Sequence, residues 1–174
     1  MVGPPYNPAA VRAAHTLLRH AHDDWTANLH RLRPDDADDR QADLRLRLYG
    51  SAAAVLLWTR GIDDMCTDPD GHQPYVAARP AVAPRLSAAR YAGNHAIHQL
   101  IPLSDLDSGG ATFPMTFPRA FRPPTLRWAT EIVLPPVDID STRKLRRVYL
   151  ATWAGHAIGP TLDQLRAWFD EQLA

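Results

Sequence analysis

The segment Arg90-Tyr91-Ala92-Gly93-Asn94-His95-Ala96-Ile97-His98-Gln99 holds the residue types that phosphodiester chemistry needs. On a helix advancing about 100° per residue, Asn94 stands roughly 40° and His98 roughly 80° from Arg90. An arginine, an amide and an imidazole then share one face, beside an apolar stripe of Leu86, Gly93, Ala96 and Leu100. Arginine can hold a non-bridging phosphate oxygen in bidentate fashion, and histidine moves protons near neutral pH. If the chain cleaves RNA, His98 would assist attack of a ribose 2′-hydroxyl on the adjacent phosphorus, or protonate the leaving 5′-oxygen. Arg90 would stabilise the charge on the phosphorane and Asn94 would position the group attacked. The product would carry a 2′,3′-cyclic phosphate. That set offers charge and proton transfer but no cation cage, so no metal or other cofactor is expected. The competing reading is structural: the same three side chains flank a buried helix and bond to a neighbouring chain or element.

Other residues invite weaker readings. His95 and His98 lie at i and i+3, and His15 and His22 at i and i+7 on another helical pattern. Three of them could ligate a divalent metal inside a bundle, although no Glu-x-x-His or His-Glu-x-x-His motif accompanies them. Arg143, Lys144, Arg146 and Arg147 put four cations in five positions. They read either as the solvated face of an amphipathic helix or as a phosphate path for RNA. Residues 1–70 carry eleven acids and eight bases, whereas residues 79–147 carry five acids and ten bases. Such a split suits RNA contact or self-association. Asp63-Asp64 and Asp68-Pro69-Asp70-Gly71 lack the further ligands and closing glutamate of a calcium loop. Phosphate-loop, dinucleotide-fold and nucleophile-elbow motifs are missing as well. Cys66 is the only cysteine, so the chain forms no internal disulfide, and its place at a helix end reads as structural.

The Arg90–His98 segment resembles the signature of the HEPN superfamily, small helical bundles that include many metal-independent ribonucleases. That signature is an arginine followed by a polar residue, with a histidine four to six residues after the arginine. Asn94 and His98 match the polar and histidine positions, and Gly93 stands where the arginine belongs. A second register, Arg90-x-x-x-x-His95, keeps the spacing and puts Tyr91 at the polar position. From Tyr49 onward the chain also resembles a group of uncharacterised proteins from high-GC bacteria. The resemblance implies a ribonuclease, or a degenerate relative acting in toxin–antitoxin or defence systems. Arg90, Asn94, His98 and His95 would form its catalytic set. It further implies a homodimer that brings two motif helices together, RNA as a ligand, and a possible antitoxin or other partner protein. On this reading Gly93→Arg should restore the register and raise activity. The alternatives remain an inactive helical interaction module and a histidine-ligated metal-binding bundle.

These residues must be carried by helices. The chain has 174 residues, 45% apolar and 22% charged, with nineteen basic and nineteen acidic side chains. That describes one globular domain, residues 1–174, able to bury a core without staples. A net charge of zero argues against a polycationic sleeve or an acidic tail. The longest apolar run, Ala52–Trp58, is too short to span a membrane, and Met1–Pro5 has no leader pattern. A cytoplasmic protein is the expectation.

Val11, Leu18, Trp25 and Leu32 recur every seven residues from a start at Asn7 or Pro8. A second helix, opened by Asp35–Asp39, runs through Leu48, Ala52, Val55 and Ile62 as the central element. A connection from His72 to Pro84 leads to a third helix, Arg85–Ile101. Residues 104–136 read as a β-hairpin insert, with an edge strand at Thr112–Phe117 and a half-buried strand alternating over Leu126, Trp128, Thr130 and Ile132. A fourth helix covers Ser141–Gly155. The last opens on a capping box at Thr161-Leu162-Asp163-Gln164. The expected fold is mainly α: a four- or five-helix bundle with a small β insert before the last two helices.

Overall fold

The computed structural model describes residues 6–32, 38–67, 71–98, 104–107, 125–130 and 139–174, and at 38–41, 95–98, 104–107 and 125 it describes the backbone alone. The architecture is the expected helical bundle. Helix α1 spans Pro8–Arg31, α2 Asp38–Cys66, α3 Gln73–Ala78, α4 Ala83–His98, α5 Asp140–Thr152 and α6 Ile158–Gln172. No helix among the described residues is long and apolar enough to cross a membrane.

Asn7 starts α1 because its side-chain oxygen accepts from the Ala9 and Ala10 amides at 3.0 and 3.2 Å, with Pro8 in the first turn. The heptad stripe then buries Val11, Leu18 and Trp25 against α2 and α6. Helix α2 sends Leu48, Ala52, Val55, Leu56 and Ile62 into the same core. It packs on α1 along one side and on α4 along another, as a central helix should. Helix α4 is held between α2 and α5.

Three expectations need correction. The connection His72–Pro84 is not plain loop: it contains α3 and a 3₁₀ turn, Arg79–Ala81. Pro74 sits in the first turn of α3 and Pro80 in that of the 3₁₀ turn, where a missing N–H costs nothing. Tyr75 gives α3 its anchor, fully buried against Trp168 and Phe169 of α6. The capping box at Thr161 does not form. Helix α6 begins four residues earlier, with Ala157 as its N-cap, and the Thr161 hydroxyl bonds back to the Ala157 carbonyl at 2.8 Å inside the helix.

The strand alternation also stops early. Strand β1, Ser104–Asp107, pairs antiparallel with β2, Thr125–Arg127, through an irregular register. Leu126 and Trp128 are buried and Arg127 exposed, but Ala129 is buried and Thr130 is not. The reason is that the chain leaves the strand to join the α5–α6 turn. The Trp128 amide donates to the His156 carbonyl, and the Gly155 amide to the Trp128 carbonyl, both at 2.9 Å. Gly155 adopts φ +73°, a left-handed conformation that glycine allows without strain. The Tyr149 hydroxyl fixes the other side by donating to the Ala129 carbonyl at 2.8 Å. The edge strand expected at Thr112–Phe117, and Ile132, lie outside the described residues, as do 99–101 at the expected end of the third helix.

Candidate functional site at the crossing of α2 and α4

Helix α4 reaches α2 through Gly93. A Cβ on Gly93 would stand 3.3 Å from the Cβ of Leu56, tighter than ordinary contact, so the glycine sets how closely the two helices approach. One turn beyond Leu56 on α2 lies Arg60, and beside Gly93 on α4 lies Asn94. The close approach brings them together: Arg60 Nη1 donates to Asn94 Oδ1 at 2.7 Å. Arg90, one turn earlier on α4, donates through Nη2 to Asp64 and stands 3.7 Å from the nearer oxygen of Asp63. Arg60 Nε lies 3.5 Å from the other oxygen of Asp64, closing the set.

Asp63 is the deepest member. Its side chain is 4% exposed, yet it carries a full complement of donors. The Tyr75 hydroxyl donates to Oδ1 at 2.9 Å. Arg79, from the 3₁₀ turn, adds Nε at 2.6 Å to Oδ1 and Nη2 at 3.0 Å to Oδ2. A buried carboxylate persists only when paired in this way. The hydrogen bond to Asp63 pushes the Arg79 guanidinium above its ordinary range. Burial first, and then the Asp63 charge, pushes the Tyr75 hydroxyl up. The same two causes, in that order, push the Cys66 thiol up to about 11. At neutral pH that fully buried sulfur is a thiol, not a nucleophile, in keeping with the structural role expected of it.

Arg90 and Asn94 therefore do share one face of α4, as their spacing requires. Each is already engaged by α2. His95 and His98 lie within α4, whose backbone runs to His98; their side chains are outside the described residues. The sequence reading missed Arg60, Asp63, Asp64, Tyr75 and Arg79 as members of this cluster. One signal was present: Asp63 directly follows Ile62 on the buried side of α2, and a carboxylate there needs a cationic partner.

Gly93→Arg cannot restore a motif here. Gly93 is buried with Leu56 against it, so an arginine side chain has no space to enter at that position. The expectation that this substitution raises activity by local repair is withdrawn on that ground.

The cationic run on α5 is divided by the fold. Arg143, Lys144 and Arg147 are exposed, and Arg143 bonds Asp140 at 3.0 Å. Arg146 turns inward, its Nε buried, close enough to Tyr91 of α4 to oppose the upward push that burial exerts on that hydroxyl.

The α1 histidines meet aspartates of α6. His15 Nε2 lies 2.8 Å from Asp170, and His22 Nε2 lies 2.7 Å from Asp163. Arg166 Nη1 reaches His22 Nδ1 at 2.9 Å. A guanidinium can only donate, so Nδ1 accepts and Nε2 carries the proton given to Asp163. Both ring nitrogens of His22 are thus in use. Among the described residues no group of three or more histidine, cysteine or acidic side chains is arranged to hold a metal ion.

No family model matches this chain, and no curated protein or solved structure matches it.

Proposed function

We propose that this chain is a HEPN-like helical module that acts by docking, with a second copy of itself as first partner, through the surface around the α2–α4 crossing. The observation that carries this reading is the engagement of Arg90 and Asn94 by α2. A catalytic arginine must offer donors to phosphate, whereas Arg90 gives them to Asp64 and Asp63. The surroundings suit contact. Leu57 is 45% exposed and heads the stripe that continues one and two turns on as Arg60 and Asp64. An apolar side chain rimmed by paired charges is the usual make-up of a transient interface.

The test is light scattering at tens of micromolar, joined to a cleavage assay on single-stranded RNA in EDTA. Wild type should run at twice 19.4 kDa, Leu57→Arg should run as the monomer, and the RNA should stay intact. A wild-type monomer at that concentration would sink the self-association.

Ribonuclease activity is the second reading. It is favoured by the excess of three guanidinium groups over two carboxylates and by the 35% exposure of the Arg90 side chain. If that reading holds, wild type cleaves without metal and leaves a 2′,3′-cyclic phosphate. His98→Ala would then slow cleavage by about 10²–10⁴-fold. RNA contact by the exposed Arg143, Lys144 and Arg147, without the inward-turned Arg146, and docking of an antitoxin in place of the second copy, belong to the same proposal.

A further inference from the structure

Helices α1 and α2 follow one another in sequence and pack along their lengths, so they run antiparallel. A groove of about 580 Å³ lies between them, and its described lining comes from these two helices. Ala21, Ala27, Gly50 and Ala54 leave it open. A Cβ on Gly50 would meet nothing within 4 Å among the described residues. The volume is that of an ordinary small-molecule site.

The polar side chains sort by kind along the groove, and both walls sort the same way. On α1, Asp24 precedes Arg31 by about 10 Å of helix axis. On α2, Ser51 follows Arg47 by one turn, so in the antiparallel pair Ser51 falls toward the Asp24 end and Arg47 toward the Arg31 end. The Ser51 hydroxyl spends its proton on the carbonyls of Arg47 and Leu48, at 2.9 and 3.1 Å. Toward a ligand its oxygen accepts, as the Asp24 carboxylate does. Arg47 gives its Nε to Asp43 at 2.8 Å and, like Arg31, is a donor only. Asn28 lines the groove between Asp24 and Arg31 and offers both roles. One end therefore accepts and the other donates.

The other flank of α1 is a contrast. There His15, Arg19, His22 and Asp23 are all engaged by α6. Asp24, Asn28 and Arg31 make no hydrogen bond or ion pair among the described residues. A ligand matched to this groove carries an ammonium at one end and a carboxylate at the other. A free amino acid, its charges roughly 3 Å apart, is too short to touch both ends. An extended chain gains about 3.3–3.6 Å per residue, so about three residues reach across.

We infer that this groove binds a short zwitterionic peptide of about three small residues. Its ammonium lies between Asp24 and Ser51, its carboxylate between Arg31 and Arg47, and a middle amide on Asn28. The groove is separate from the α2–α4 cluster and does not depend on the docking proposed there.

Calorimetric titration of the full chain with trialanine tests the inference, with free alanine, N-acetyltrialanine and trialanine amide as comparison probes. Trialanine should bind, each capped form should bind about tenfold or more weakly, and free alanine should give no heat. Asp24→Asn and Arg31→Gln change exposed side chains, so both should keep the wild-type unfolding midpoint. Asp24→Asn should weaken trialanine about tenfold and leave N-acetyltrialanine unchanged, because acetylation has already removed the charge that Asp24 meets. Arg31→Gln should do the same with the amide. Gly50→Leu fills the groove where a side chain has space, so it should melt no lower than wild type and lose the peptide. Absence of heat with millimolar trialanine would overturn the proposal. So would capped forms that bind as tightly as trialanine, or wild-type affinity in Gly50→Leu.

Discussion

Asp63 shows how one carboxylate can organise four segments of chain. It is buried on α2, accepts from Tyr75 of α3 and from Arg79 of the 3₁₀ turn, and faces Arg90 of α4. Its neighbour Asp64 makes comparable ion pairs at half exposure, where water already solvates the charge. The two residues are adjacent in sequence and share Arg90, but Asp63 is buried and also holds Tyr75 and Arg79, so its expected weight is the larger. Asp63→Ala strands a buried hydroxyl and a guanidinium and should cost about 3–5 kcal/mol. Asp64→Ala should cost less than about 1 kcal/mol. Urea unfolding of both variants gives the comparison, and losses of similar size would mean that the buried network is not what joins α3 to the α2–α4 pair.

At the scale of elements, the sequence was most legible where periodicity and packing agree. The seven-residue stripe of α1 and the apolar run of α2 became helices with the anticipated faces, and Asn7 became a true cap. Legibility failed where tertiary contacts overrule local signals. Helix α3 is only six residues long, too short to announce itself by period, and it exists because Tyr75 has Trp168 and Phe169 to pack on. Thr161 looked like a cap because its hydroxyl can serve either end of a hydrogen bond; the β2-to-turn pairing placed the helix start at Ala157 instead. The candidate site was half legible for a related reason. Helical spacing put Arg90 and Asn94 on one face, but nothing local tells which side chains of a second helix will meet them. Gly93 decides that meeting. Gly93→Ala gains helix propensity of about 1 kcal/mol and sets against it the 3.3 Å contact with Leu56, which must give by a few tenths of an ångström. Gly93→Arg gains nearly the same propensity but must fit a long charged side chain against Leu56, and should lower stability by about 3 kcal/mol or more. A thermal melt of Gly93→Arg at or above the wild-type midpoint would contradict the close crossing.

For the molecule as a whole, the buried groups that ionise above neutral pH, three phenols and one thiol among the described residues, fix its response to alkali. Burial pushes up the Tyr75, Tyr91 and Tyr149 hydroxyls and takes the Cys66 thiol to about 11. These groups come from α2, α3, α4 and α5, so every helix packed on α4, and α4 itself, contributes at least one. In the unfolded chain they lose protons near their ordinary values, 9.0 for the thiol and 10.0 for the phenols. Above pH 9 the folded state therefore holds more protons than the unfolded state, and stability falls as pH rises. The stabilisation is fully present below pH 9 and drains away above it. Each group contributes a slope of up to about 1.4 kcal/mol per pH unit once its unfolded form is ionised. The effect is unusually free of confusion with ammonium titration, because Lys144 is the sole lysine beside eighteen arginines that stay charged throughout. Urea midpoints should hold between pH 7 and 8.5 and then decline steeply to pH 10.5. Cys66→Ala should flatten the earliest part of that decline, near pH 9, since it removes the group that ionises first in the unfolded chain. Midpoints level to pH 10.5 in the wild type would show that these hydroxyls and the thiol reach water in the folded protein.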